Sequence, residues 1–319
     1  MQRGIHLRQQ VNSFKIKTMN FLKNLILFGV FFAFISCGQN SKPKKTITNE
    51  PTNVIQKVDN AVMQLNNQIA EYNKIATLNH HRMAADEGVY TPPSIVSIFS
   101  NPKIEVPLVQ ANQLIGLDLP FKVLCYAEPD TTEAKVAFTS AEFIQKRHNI
   151  GSEALRDYER AMNQIIEALP KKMISNTDVS NVDENFGIVQ FKSDFDFPTT
   201  VQNLRDIVMA QSDTKWFADV DYQKQASTQN IEVRPTILLL FGGPAPGGKA
   251  MVSSPKIGLD AFCQKLLVYE NESGEVWIAY NDIVAFAELY YQSFTKPQQM
   301  INQRLKMTFT KAVTNQSTE

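Results

Sequence analysis

Histidine, cysteine and tryptophan are scarce in this chain, at four, three and two in 319 residues, and each scarcity closes a route. With no CxxC pair, neither a zinc cage nor a dithiol redox centre of the usual spacing is expected. Charge of one sign is not in excess either: 32 Lys plus Arg balance 32 Asp plus Glu. The clustered cationic surplus that phosphate backbones attract is missing, so no nucleic-acid partner is expected. No apolar run reaches the ~20 residues of a membrane-spanning helix. What remains is 43% hydrophobic and 20% charged, a globular composition with length for roughly two domains.

One shorter apolar run does exist. Leu25 to Ile35 follows Met19-Asn-Phe-Leu-Lys23 and ends in Phe34-Ile-Ser-Cys37-Gly, the layout of a secretory signal peptide. Its end resembles the bacterial lipobox, in which a small residue precedes a cysteine that is diacylated; Phe34 stands where Leu is usual. Residues 1–37 are therefore read as a lipoprotein signal peptide with Met19 as the true start and Cys37 as the lipidation site. Each acyl methylene buried in a bilayer contributes ~0.8 kcal/mol, so two or three chains anchor stably. Residues 38–53 are polar and aperiodic and read as a flexible tether. No acidic tract follows Cys37, which favours the periplasmic side; the expected location is the cell envelope, on the periplasm-facing outer membrane. Cys125 and Cys263 sit at separate apolar runs and are expected as reduced core thiols.

Sliding the chain over itself by 142 positions aligns Asn79–Asp118 with Asp221–Asp260 without a gap. Nine of forty positions are identical, against roughly two or three from ordinary residue frequencies. The identities gather in two blocks: Pro-Ser-Ile-Val-Ser-Ile-Phe against Pro-Thr-Ile-Leu-Leu-Leu-Phe, and Ile-Gly-Leu-Asp in both copies. With one inserted residue the match continues, Lys122-Val-Leu-Cys-Tyr against Lys265-Leu-Leu-Val-Tyr.

Within each copy the hydrophobic period predicts the elements. Residues 58–70 and 199–209 have apolar positions at helical spacing. Runs at 94–99, 122–127 and 135–139, mirrored at 236–241, 265–270 and 275–280, read as strands, with Asn271–Gly274 as a hairpin turn. Closing helices are expected at 141–148 and 284–291. The second copy adds a strand at 187–191, where the first has only Thr46-Ile-Thr-Asn-Glu-Pro and reads as truncated. The expected fold class is α+β: two fused two-layer sheet-plus-helix domains forming an internal pseudo-dimer. Its parts are a first repeat at 54–151, a connecting helix and linker at 152–184, a second repeat at 185–292, and a C-terminal helix and tail at 293–319.

The blocks Pro-Thr-Ile-Leu-Leu-Leu-Phe-Gly-Gly-Pro, Ile-Gly-Leu-Asp, Lys-Leu-Leu-Val-Tyr-Glu and Glu-Val-Trp-Ile-Ala-Tyr-Asn-Asp together resemble the bacterial and archaeal domain of unknown function family 302. In the first copy Asn-His-His, Leu-Asp-Leu-Pro and Phe143-Ile-Gln-Lys-Arg-His148 are similar to the same pattern. The resemblance implies a two-layer α+β domain able to pair with itself, which a tandem chain would imitate internally, and it implies no established activity. The family's usual His before the Pro block is His80 in the first copy, while the second has Tyr222.

Four features are candidates for chemistry. Gly243-Pro-Ala-Pro-Gly-Gly248-Lys249 fits part of a phosphate-binding loop, but Ala250 replaces the hydroxyl that holds Mg²⁺ and two prolines remove backbone donors; it reads as a wide turn. His80 and His81 could bind a metal or move protons, yet in an extended segment they face opposite ways, and the ordinary alternative is a solvated or capping histidine. Asp118 and Asp260, the most repeat-faithful charges, could face a common cleft with one pKa raised for general acid work; alternatively each caps its turn by accepting backbone N–H groups. Asp221, aligned with Asn79, joins His80 and His81 as a ligand-binding candidate.

No complete catalytic set is assembled by these spacings, and no metal or cofactor is expected. The leading expectation is a lipid-anchored envelope protein that binds a small ligand or a protein partner, with the membrane held through Cys37. The alternative is a hydrolase-like enzyme with its site between the repeats, around His80, Asp118 and Asp260.

Overall fold

A computed structural model describes residues 50–260 and 264–315; Cys37, the signal segment, the first-strand segment near Thr46 and Cys263 lie outside the described residues. The described residues form one compact unit. The first repeat runs α1 (Glu50–Gln68), β1 (Asn73–Asn79), α2 (His80–Asp86), β2 (Ser94–Ser100), α3 (Pro102–Ala111), a 3-10 turn (Gln113–Leu117), β3 (Phe121–Tyr126), β4 (Lys135–Phe138), α4 (Ala141–His148) and α5 (Ser152–Glu167). The second runs β5 (Ile188–Lys192), α6 (Phe197–Met209), β6 (Lys215–Asp221), α7 (Tyr222–Ser227), β7 (Thr236–Gly242), α8 (Pro244–Met251), a 3-10 turn (Pro255–Leu259), β8 (Gln264–Glu270), β9 (Val276–Asn281), α9 (Ile283–Tyr291) and α10 (Lys296–Val313).

The strands form two antiparallel sheets, β1-β2-β3-β4 and β5-β9-β8-β7-β6, so the fold is α+β. The repeat extends to register: Ser94 faces Tyr126 as Thr236 faces Tyr269, and both edge strands carry a bulge at matching places, Lys74/Ala76 and Trp216/Ala218. Those edge strands are among the elements that periodicity does not predict. Each is only half-buried, and the bulge resets the side-chain alternation partway along.

The Pro-Gly segment after β7 corrects an expectation. It is helix α8 and not a wide turn: Pro244 occupies the first turn, where a missing N–H costs nothing, and Gly247 N bonds the Gly243 carbonyl at 2.8 Å. Residues 175–184 are likewise more than a polar linker, because Val179 and Val182 are buried against Phe143 and Phe286. Just before them, Ile174 bridges Val136 and Ser175 N bonds the Val136 carbonyl at 2.8 Å. The connecting segment thus covers the β4 edge, the place that β5 takes on β9 in the second repeat.

One hydrophobic core spans both repeats, holding Phe99, Phe121, Leu124 and Tyr158 together with Tyr222, Leu238, Leu240 and Leu267. The seam is reciprocal: the 3-10 turn of each repeat packs on the two central strands of the other, and α2 packs on α8 as α3 does on α7. This is the geometry of an isologous dimer inside one chain. It explains the shared Ile-Gly-Leu-Asp block. A Cβ at Gly116 would come within 2.8 Å of Leu267 of the other repeat, and one at Gly258 within 3.0 Å of His80 and Ser94 of the other repeat, so a side chain at either position would crowd the seam.

Candidate functional site

Each Gly-Leu-Asp block ends its 3-10 turn at the centre of the seam, and this carries both aspartates inside. The cap reading of these residues is corrected: their carboxylates meet cations. Asp118 accepts from Arg147 Nη1 at 2.9 and 3.0 Å, and its Oδ2 lies 2.6 Å from His148 Nε2. Lys122 Nζ donates to the Asp118 carbonyl at 2.9 Å and stands 3.9 Å from its carboxylate. The same ammonium is 3.2 Å from Asp260, which also takes Lys265 at 3.4 Å and the Tyr290 hydroxyl. Arg147 reaches on to Asn281 Oδ1 at 2.7 Å and the Phe186 carbonyl at 2.8 Å, with its guanidinium beside the Phe143 and Phe286 rings. Asn281 closes the loop by donating to the Asp260 carbonyl at 3.0 Å.

The two aspartates do share one locus, and their carboxyls shift in the same direction. Burial by itself would raise both carboxyls. For Asp118 the Arg147 charge, the His148 hydrogen bond and Lys122 outweigh it and hold the group well below the ordinary range. For Asp260, Lys122 and Lys265 outweigh burial and the nearby Asp118 charge, and the carboxyl is lowered. The expected upward shift is therefore corrected to a downward one. The strain falls on Lys265: burial, then the neighbouring Lys122 charge, bring its amine down to about 7.

Exposure decides what this cluster can do. Asp118, Lys122, Arg147, Asp260 and Lys265 are each 2% exposed or less, so no substrate meets these groups in this conformation. Two aspartates, one arginine and two lysines instead join the repeats across the seam. A buried group of this kind disfavours any register that leaves one of its charges unpaired.

The histidine candidates separate. His80 and His81 open α2 rather than lying in an extended strand, and Asn79 is the cap, accepting from Arg82 N. His80 is fully buried, which corrects the solvated reading. Its Nε2 lies 3.3 Å from the Gly258 carbonyl of the other repeat, and burial brings its pKa down to about 3. Tyr222, its counterpart, donates to the Gly116 carbonyl at 3.3 Å. His81 turns the other way, with Nδ1 2.6 Å from the Thr91 carbonyl. Asp221 caps α7 by accepting from Lys224 N at 2.8 Å. Among the described residues no group of three or more His, Cys, Asp or Glu side chains could hold a metal ion.

Sequence reasoning did not single out Lys122, Lys265, Arg147, Asn281 or Tyr290 as members of this cluster. A signal was there for the lysines, which are aligned with each other and stand inside otherwise apolar strands. Glu105 was missed as well. It is fully buried on α3, accepts from Ser100 Oγ at 2.5 Å and from the backbone of Asn101 and Phe121, and burial lifts its pKa to about 7.

Residues 44–169 and 189–311 each match the sequence profile of one family, described as "Domain of unknown function DUF302". No curated protein matches the chain. Among solved structures, the crystal structure of an uncharacterized conserved DUF302 protein from Bacillus stearothermophilus aligns over 40% of this chain and 95% of its own, at 10% identity and a TM-score of 0.34.

Proposed function

We propose, from the premise that this chain belongs to the DUF302 family and carries its domain twice, that it is a lipid-anchored binding protein of the bacterial cell envelope. It takes a small ligand or a protein partner on its outer faces and turns over no substrate. The observation that carries the non-catalytic part is the burial of the inter-repeat cluster at 2% exposure or less: the richest collection of acid and base groups is spent on holding the repeats together. The anchor rests on the apolar run Leu25 to Ile35 and on Cys37, with the protein facing the periplasm from the outer membrane.

Two experiments test the reading. Cys37→Ala should release the protein from membranes on fractionation; persistent globomycin-sensitive processing in that variant would overturn the lipoprotein assignment. Native mass spectrometry of residues 41–319, purified gently from the periplasm of the native host, should show a retained extra mass if the ligand is small, or a co-purifying polypeptide if the partner is a protein.

One observation favours the rival, a hydrolase-like site between the repeats: Lys265 carries an amine that titrates at about 7, in the range of a general base. That reading requires the seam to open. Turnover of a generic ester, phosphate or glycoside substrate, abolished by Asp260→Asn in a variant that still folds, would establish it over the binding function.

A further inference from the structure

Helix α10 closes the second repeat as α5 closes the first, and the two align residue by residue at a spacing of 143. Their inner faces correspond: buried Met162 and Ile166 match buried Leu305 and Phe309. Their outer faces do not. On α5 the exposed residues are charged, polar or small, among them Ala154, Asn163 and Gln164, with two local ion pairs, Arg156 with Glu153 and Arg160 with Asp157, an ordinary solvated surface. At the places of Glu153 and Asp157, α10 has Lys296 and Met300.

Met300 is 57% and Met307 68% exposed, and a spacing of two helical turns sets one above the other on the outer face. Exposed Lys296, Lys306 and Lys311 surround them. No Asp or Glu occurs between Glu288 and Glu319. Beside the helix lies an open groove of about 620 Å³, walled by Pro246, Lys249, Ile301, both methionines and the mutually neutralising Arg304–Asp213 ion pair. Packing does not demand such a face, because α5 does the same structural work without it. An apolar centre ringed by long cationic side chains is the composition that settles on anionic headgroups, with the sulphur side chains dipping below them.

We propose that the outer face of α10 docks on an anionic lipid bilayer. This deepens the membrane-anchored reading: a tether from Cys37 to the start of α1 at Glu50 reaches no more than ~45 Å when extended, which keeps the folded unit within reach of the surface that holds it. The test omits Cys37, so that the two claims fail separately.

Residues 47–319, which contain every described element of both repeats, are sedimented with vesicles of equal parts phosphatidylglycerol and phosphatidylcholine, and with phosphatidylcholine alone. Binding is expected on the anionic vesicles, weakened by salt, and absent on the neutral ones. K296E/K306E/K311E should weaken it about a hundredfold or more, since each lysine near an anionic surface is worth ~1 kcal/mol. R156E/R160E on α5 should leave it unchanged. Circular dichroism checks that these surface variants fold. Failure of the parent fragment to bind anionic vesicles, or an equal loss in the α5 variant, overturns the proposal. So does retention of an acidic helical peptide by this face without vesicle binding, which would assign it a protein partner.

Discussion

Lys122 of the first repeat and Asp260 of the second stand 3.2 Å apart in the seam, at 1% and 2% side-chain exposure. Their pairing makes the two repeats electrostatically interdependent, and it ranks two substitutions. Asp260→Asn leaves Lys122 and Lys265 facing each other with half their compensation gone, and should destabilise the fold by about 3–5 kcal/mol, the usual cost of breaking a buried pair. Lys122→Met should cost less, because Lys265 then regains its full charge and serves Asp260 alone. Urea denaturation of both variants checks the order.

The same cluster sets an acid limit. Asp118 and Asp260 are held below the ordinary carboxylate range in the folded state, so the unfolded chain binds protons first as pH falls. The stability they confer is present above the unfolded value, near 4, and is lost as pH falls through the folded values. A steep loss of stability below about pH 4 is expected, and Asp118→Asn should flatten it. Thermal melts across that range decide.

His80 acts in the same direction at milder pH. Its folded pKa lies near 3 against a reference of 6.5, so between those values the unfolded chain binds more protons and stability falls with falling pH. His80→Gln should remove that part of the pH slope whatever it does to stability at neutral pH. An unchanged slope between about pH 6 and pH 4 would place His80 on a solvated surface.

Glu105 works in the opposite sense. Its pKa rises from 4.5 to about 7 on folding, so the folded state holds the extra proton and stability declines as pH rises through that window. Glu105→Gln keeps the acceptor for the Asn101 and Phe121 amides and cannot ionise. It should remove a decline of about 3 kcal/mol between pH ~4.5 and pH ~8, read from urea midpoints at several pH values.

A packing prediction concerns the glycine-rich helix. A Cβ on Gly248 would lie 2.6 Å from the Ala84 Cβ of α2, an atom with no rotamer to escape through. Gly248→Ala should therefore force α2 and α8 apart and cost about 1–3 kcal/mol. Gly88→Ala places its Cβ in open space, though at a positive φ of 71°, and separates backbone strain from interface crowding.

Much of this architecture was legible in one sequence because the sequence states it twice. The central strands β2, β3, β7 and β8, the closing helices α4 and α9 and the doubling itself follow from hydrophobic period and self-alignment. The edge strands β1 and β6 were not legible, since each is half-solvated and broken by a bulge. Helix α8 was hidden because prolines and glycines read as turn formers unless the helix start is known. The site was half legible: Asp118, Asp260 and His80 were candidates, but neither their burial nor their partners across the seam could be read, because spacing reports neither.

The sequence by itself determined the composition of each layer, the order of the elements and the identity of the residues that repeat. Those properties are local: they depend on side-chain periods of two and 3.6 and on which residues begin and end a helix. Tertiary structure alone decided that Lys122 serves an aspartate 138 positions away, that Arg147 reaches Asn281 across the seam, and that His80 is sealed against the Gly258 carbonyl. Ionic and hydrogen-bonding partners are chosen by proximity in space and by the removal of water. Neither exists until one repeat has folded against the other.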